Sequence, residues 1–130
     1  MITFPSGREI LLGIGGGIAA YKSCELLRRL QDFGNQVTVL PTQNSLNFVG
    51  KTTWEALSGR EVPTDLWEKN SGVTHIDLAK RNDLIIVGPA TADLIAKIAT
   101  GRADDLLTTT ILASKSPLVL IPAMHPEMYL

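Results

Sequence analysis

Three consecutive glycines, Gly15-Gly16-Gly17, stand between an apolar run, Ile10 to Ile14, and a stretch with helical spacing. Without Cβ atoms a backbone can approach an anion closely, and the N-terminus of a following helix offers N–H groups and a positive end. The combination predicts a phosphate group at Gly15 to Ile18. The same glycines also permit tight packing of a strand against a helix. The dinucleotide fingerprint is incomplete: in Gly13-Ile14-Gly15-Gly16-Gly17-Ile18 the final glycine is replaced by Ile18. The second apolar run ends in Leu40-Pro41-Thr42, with no acid to take a ribose hydroxyl. Thr42, Asn44 and Ser45 offer hydroxyl and amide groups there, which suit a monophosphate on a sugar-alcohol chain better than a dinucleotide. No Gly-Lys-Ser/Thr follows the glycines, so this is not a P-loop.

The sequence has only two histidines. Thr74-His75-Ile76-Asp77 fits a capping box, which puts His75 in the first turn of a helix. The positive helix end disfavours an imidazolium there, and a neutral imidazole can act as a base or hold a carboxylate. A lone surface histidine is also commonly inert. His125 follows Pro122-Ala123-Met124 at a predicted strand end. Neither histidine has cysteine or acidic neighbours at ligand spacing, so no metal site is expected. Cys24 falls inside the first predicted helix and reads as a small semi-buried residue, not a nucleophile. Arg102 to Asp105 reads as solvated charge with a helix cap.

Strands are predicted at Ile10–Ile14, Gln36–Leu40, Leu84–Val87 and Leu118–Ile121. Helices are predicted at Ile18–Phe33 before Gly34, at Thr42–Val49, at Thr52–Leu57 before Ser58-Gly59, from His75 to Arg81, at Thr91–Ala99 before Gly101, and at Asp104–Ala113. Val62-Pro63 is at best an edge strand, and Asp65 to Gly72 a loop. Strands alternating with helices imply one α/β domain, a doubly wound parallel sheet with helices on both faces and right-handed crossovers. In such a sheet the carboxyl ends of the strands line one crevice. Four such ends are legible: Gly15-Gly16-Gly17, Thr42 to Ser45, Pro89 to Asp93, and Pro122 to His125. Small residues and prolines dominate them, leaving backbone against which a planar ligand can lie.

Composition narrows the function classes. With 130 residues and 45% hydrophobic content, the chain can bury a core without staples. Twelve basic and 13 acidic residues give a net charge of −1, against the basic excess expected of a nucleic-acid binder. One cysteine allows no internal disulfide and fits a reducing compartment. No apolar run is long enough for a membrane span, and residues 1 to 9 lack a signal-peptide layout. These features fit a cytoplasmic protein. The chain stops at Leu130, just past a strand-to-loop transition where a doubly wound domain normally continues. Residues 1–130 are therefore expected to form a domain truncated at its C-terminal end.

Five ordered segments carry a family resemblance: Gly-Gly-Ile-Ala-Ala-Tyr-Lys (16–22), His-Ile-Asp-Leu-Ala-Lys-Arg-Asn-Asp (75–83), Pro-Ala-Thr-Ala-Asp-Leu-Ile-Ala-Lys (89–97), Ala-Asp-Asp-Leu-Leu (103–107) and Pro-Ala-Met-His-Pro-Glu-Met (122–128). Together they resemble the flavin-dependent cysteine decarboxylases, in the branch that acts on phosphopantothenoylcysteine in coenzyme A biosynthesis. The resemblance runs from about Gly7 to Tyr129. It implies a three-layer Rossmann- or flavodoxin-like fold, bound FMN, and trimers or multiples of trimers with the flavin near a subunit interface. By position, Gly16, Gly17 and Ile18 would contact FMN from the first loop and Asn44, Ser45 and Leu46 from the second. Thr91, Ala92, Asp93 and Leu94 would do so from the third and Ala123 from the fourth. His75 falls on the family's active-site histidine. His125 stands where the usual Pro-Ala-Met-Asn has a substrate-binding asparagine; both side chains can donate to a carboxylate.

The family's flap, which carries a cysteine needed in the reductive half, would lie beyond Leu130, and Cys24 cannot replace it by position. For a chain ending there two expectations stand beside full activity: oxidation of substrate without completed turnover, and poor or absent FMN binding. Other readings remain open: a non-catalytic flavoprotein or regulatory subunit, a flavin prenyltransferase, and a generic nucleotide-binding module. The His75 helix motif weighs against the first two, and the missing acid after the second strand against the last.

Overall fold

The computed structural model describes residues 5–63 and 75–122, and of residues 75–77 the backbone alone. Among these, four parallel strands form one sheet in the order β2-β1-β3-β4: β1 Glu9–Ile14, β2 Gln36–Pro41, β3 Leu84–Ala90 and β4 Leu118–Pro122. The first three are near-continuous apolar runs, as befits strands covered on both faces. Alternation within each run splits the core in two. Ile10, Leu12, Ile14, Val37, Val39 and Ile86 pack with Leu27, Leu30 and Trp54 on one face. Leu11, Leu40, Ile85 and Val87 pack with Leu78, Leu94, Leu106 and Leu107 on the other. The three-layer α/β architecture expected from the sequence is what the chain forms.

Helix α1 (Ser23–Asp32) buries Leu27 and Leu30 and turns Glu25, Arg28 and Arg29 outward, with Arg29 Nε 3.3 Å from Glu25. It stops at Phe33 and Gly34; the glycine takes a positive φ of 83° and donates to the Gln31 carbonyl at 2.9 Å. The sequence predicts a single helix from Ile18. The structure instead opens with a 3₁₀ segment, Ile18–Lys22, before α1, because the Ala20 N–H reaches back only as far as Gly17 O, at 3.0 Å. The helix predicted over Thr42–Val49 is likewise a 3₁₀ turn confined to Asn44–Asn47. Helix α2 (Lys51–Ser58) ends at Gly59 as expected.

Val62-Pro63 forms no strand. The Val62 N–H donates to Glu55 Oε2 at 3.1 Å rather than to a ladder. Strand β3 runs three residues past its predicted end, through a cis Gly88–Pro89 peptide to Ala90. Helix α3 (His75–Arg81) is present over its predicted range; Thr74 of the expected capping box lies outside the described residues. Helix α4 (Ala92–Ala99) starts after Thr91, whose Oγ1 accepts from the Leu94 N–H at 3.2 Å. Helix α5 (Leu106–Ala113) begins two residues later than predicted because Asp105 is its N-cap: the Thr108 N–H donates to Asp105 Oδ1 at 2.8 Å, and the Asp105 N–H donates to Thr108 Oγ1 at 3.2 Å. Gly13 lies inside β1, where a Cβ would come 2.7 Å from Leu107 Cδ1, so α5 rests directly on that strand.

Polar side chains stitch the N-terminal edge of the sheet. Buried Asn35 donates to Pro5 O at 2.7 Å and accepts from the Arg8 N–H at 3.0 Å. Arg60 grips Glu9 with two bonds, at 2.8 and 2.9 Å, and donates to Thr38 Oγ1 at 2.9 Å. The Arg60 hydrogen bonds, with burial opposing them, hold the Glu9 carboxyl below its ordinary pKa. A carboxyl more acidic in the folded than in the unfolded chain adds stability above its unfolded pKa, and that stability disappears as pH falls through the folded value. Thermal midpoints should therefore drop on acidification below about pH 4.3, the ordinary glutamate value. Glu9→Gln should flatten that limb of the profile and lower stability at neutral pH by up to about 1 kcal/mol.

Candidate functional site

The carboxyl ends of parallel strands share one edge. Because β1 has β2 on one side and β3 on the other, the chain order reverses at β1/β3 and a crevice opens there. Three loops meet at it. The Gly15 N–H donates to Pro89 O at 3.0 Å, which ties the glycine loop to the end of β3. The Thr42 N–H donates to Ile14 O at 2.9 Å, which ties the second loop to the end of β1.

The glycines are required by this geometry. A Cβ on Gly15 would overlap the Pro89 carbonyl oxygen, and one on Gly16 would overlap the Asn44 amide. Gly17 has φ 140° and ψ 158°, a conformation essentially closed to other residues, and faces Thr91 Cγ2. The bare backbone of residues 15–17 thus lies between Asn44 on one side and Thr91 on the other. That is a cradle of the size a side chain would otherwise fill.

Donors converge on the same place. The first N–H groups of the 3₁₀ segment at Ile18 and of α4 at Ala92 and Asp93 have no intrahelical acceptor. The Thr91 hydroxyl accepts from Leu94 and keeps its own proton for another partner. Asn44 is exposed, and its Oδ1 accepts from Asn47 Nδ2 at 3.3 Å. Ser45 is fully buried, and its hydroxyl donates to Thr42 O at 2.7 Å, so this side chain shapes the loop. Leu94 is buried against Gly15, while Leu46 is half-buried. Asp93 points along α4 to Lys97 Nζ at 3.5 Å, and Lys97 also meets Asp104 at 3.5 Å. Burial opposes the Lys97 charge, but the Asp104 and Asp93 carboxylates outweigh it and hold the ammonium above its ordinary pKa.

Helix α3 ends at Arg81, beside the start of β3, and so runs back along the sheet. Its seven residues carry the His75 backbone about 9 Å toward the crevice edge; the His75 side chain, like Ala123 and His125, lies outside the described residues. Strand β4 brings Pro122 into register with Ala90, at the margin of the third loop. Cys24 is half-buried beside the core, and burial pushes its thiol pKa up. No cluster of potential metal ligands occurs among the described residues. A hollow of about 430 Å³ borders the crevice, between Ala19, Lys22 and Leu26 on one wall and Pro89, Ile121 and Pro122 on the other. A larger one, about 610 Å³, lies at the opposite edge of the sheet against Glu9, Arg60 and Arg81, away from the converging loops.

A model of the flavoprotein family matches residues 5–130. The chain belongs to that flavoprotein family. Over 123 residues it is 49% identical to the coenzyme A biosynthesis bifunctional protein CoaBC of Mycobacterium tuberculosis, covering 95% of this chain and 29% of that relative. Among solved structures it is similar to the FMN-dependent cysteine decarboxylase SpaF, with TM-score 0.84 and 30% identity over 93% of this chain and 71% of that one. It is also similar to a PPC decarboxylase mutant complexed with pantothenoylaminoethenethiol, with TM-score 0.79 and 30% identity over 93% of this chain and 69% of that one.

Tyr21 and Phe48 flank this crevice without being marked as site residues in the sequence, beside Ile18, which the family resemblance does mark. Ile18, Tyr21 and Phe48 are large apolar side chains left 78%, 58% and 47% exposed near the first two loops. Helical spacing assigns Tyr21 to a core face, and only the switch to 3₁₀ geometry turns it outward. Gly15→Ala tests the cradle. It should cost about 1–3 kcal/mol in chemical denaturation, since the Pro89 backbone must give way, whereas Gly50→Ala, which meets nothing, should cost under about 1 kcal/mol.

Proposed function

We propose that this flavoprotein domain binds FMN and decarboxylates phosphopantothenoylcysteine to phosphopantetheine, an enzymatic step of coenzyme A biosynthesis carried out in the cytoplasm. The 49% identity to CoaBC over 95% of the chain carries this reading, and the glycine cradle with its unpaired N–H groups supports the choice of a singly phosphorylated flavin. In this reading the backbone of Gly16, Gly17 and Ile18 takes the phosphate, aided by the N–H groups of Ala92 and Asp93. Asn44 faces the sugar-alcohol chain, with Ser45 and Leu46 setting the loop that carries it. Thr91, Leu94 and Ala123 complete the wall. No acidic side chain is needed for a ribose hydroxyl, and none follows β2.

The chemistry explains why a redox cofactor serves a reaction with no net redox change. Loss of CO₂ from a cysteine carboxylate leaves an electron pair on carbon with nowhere to go. Bound FMN supplies a two-electron oxidation of the substrate's thiol-bearing carbon and later returns the pair. The residues of this chain then orient the substrate and move protons. His75 takes a proton or holds the substrate carboxylate, and His125 donates to that carboxylate in place of the usual asparagine.

A trimer, or a multiple of trimers, is the proposed assembly. The exposed Ile18, Tyr21 and Phe48 at the crevice support it, since a flavin ring there needs an apolar cover.

Titrating the purified protein with FMN while following flavin fluorescence, then adding substrate without oxygen, tests the proposal. Expected are saturable FMN binding, bleaching of the visible flavin band by phosphopantothenoylcysteine, and a His75→Asn variant that binds FMN but does not bleach. Absence of FMN binding overturns the reading; undiminished bleaching in the variant removes His75 from it. Sedimentation of the FMN-loaded protein as a monomer removes the trimer.

A further inference from the structure

The irregularity at the end of β3 leaves carbonyls that the sheet does not pair. Pairing with β1 runs only to Gly13↔Val87, and the register with β4 shifts between Val87 and Ala90. Gly88 and Pro89 thus sit beyond the ladder on one side and within a bulge on the other. Buried carbonyls need donors. Pro89 O takes the Gly15 N–H at 3.0 Å. Gly88 O takes the hydroxyl of Ser23, the first residue of α1, at 2.7 Å. Ser23 is only 5% exposed and lies 65 positions away in sequence.

We propose that Ser23 is a positioning residue for the cofactor site: its hydroxyl, clamped on Gly88 O, holds the glycine-loop helix and the third loop at the separation that the flavin requires. This rests on the FMN reading above.

The two bonds act as a pair. Gly15 fixes the start of the glycine loop against Pro89. Ser23 fixes the far end of the 3₁₀ segment that follows it against the neighbouring peptide. The segment Gly16–Lys22, with the amides meant for the phosphate, is held between these two points. Thr91, which caps α4, follows Pro89 by two residues. Removing the Ser23 hydroxyl frees one of the two anchors, so the preformed arrangement becomes a fraction of the apoprotein population. Apparent affinity then falls by that fraction. Ser23 touches no proposed ligand atom; its effect travels through the backbone it holds.

Ser23→Ala, Ser23→Val and Ser23→Thr in the full chain test this by FMN titration at a temperature where far-ultraviolet circular dichroism shows each variant folded. The Ala and Val variants should raise the FMN Kd roughly tenfold and alter the visible circular dichroism of bound flavin, a signature that a general loss of stability does not move. The Thr variant, which keeps a hydroxyl on the shape of valine, should bind within about threefold of the parent, well under the tenfold step of one lost hydrogen bond. Parent-like Kd and spectrum in the Ala and Val variants overturn the inference alone, leaving FMN binding by the parent intact. Equal Kd for Thr and Val also overturns it. If Ala and Val do not fold, a folded Thr variant decides: parent-like affinity supports the clamp, and loss of FMN overturns it. A parent chain that binds no FMN overturns the flavin reading and this inference together.

Discussion

The contact between Gly15 and the Pro89 carbonyl sets the geometry of the whole crevice edge. It lies where the sheet's chain order reverses: the connections that follow the parallel neighbours β1 and β3 turn to opposite faces of the sheet, and this hydrogen bond ties them together before they part. A side chain at Gly15 would prevent this, and Leu94 closes on the same spot from α4. Once the two strand ends are joined, the rest follows with little freedom. Gly16 falls against Asn44 and Gly17 against Thr91, and the 3₁₀ segment and α4 present their N-terminal amides to a common space.

The two edges of the sheet are built from different materials. The N-terminal edge uses charged and amide side chains: Asn35, Asp83, Glu9 and Arg60 all bond across elements there. At the C-terminal edge the cross-strand bonds are made by backbone and small residues, Gly15, Thr42 and Ser23 among them. Long polar side chains tie elements together while filling the space around them. Bare backbone ties elements together and leaves the space empty. This contrast, more than hollow size, is what favours the C-terminal edge as the proposed binding edge, since the larger hollow lies on the tied side.

Much of this was legible from residue order. Runs of four or five largely apolar residues located all four strands; for β1 and β3 this is because a strand covered on both faces has no polar side to show, whereas β4 carries the same kind of run with Val119 and Ile121 left exposed. Gly34 and Gly59 marked helix ends correctly, because a left-handed cap is local chemistry. What was hidden depends on distant partners. The extension of β3 through Gly88-Pro89 was obscured by turn-like residues whose conformation the neighbouring strand dictates. Val62 looked like a strand residue because nothing local shows that Glu55 would take its N–H. The splitting of the Ile18–Phe33 segment escaped a purely periodic reading, since Tyr21 fits an α-helical core position but a 3₁₀ turn rotates it outward. Of the site, the glycine loop, Thr42–Ser45 and Thr91–Leu94 were each visible as strand ends, and the structure brings these three together. Ser23 was not visible, because its partner lies 65 residues away and serines in first turns are common.

The charge arrangement at the crevice follows from the same economy. None of the loop segments 15–17, 42–48 and 89–94 contains a lysine or arginine, so on the proposed FMN reading the phosphate is held by amide dipoles and helix ends. Such donors lose no side-chain entropy on binding and are already aimed before the ligand arrives. The one charge in these segments, Asp93, has the wrong sign for an anion site, although the first turn of α4 favours it. Lys97 resolves the conflict. From the next turn it draws the Asp93 carboxylate along the helix, while Asp104 keeps Lys97 itself anchored to the α4–α5 connection. The ammonium offsets the carboxylate without entering the cradle. On the FMN reading, the amides of Ala92 and Asp93 then act together with those of Gly16 to Ile18 on the phosphate, with the Asp93 charge drawn toward Lys97.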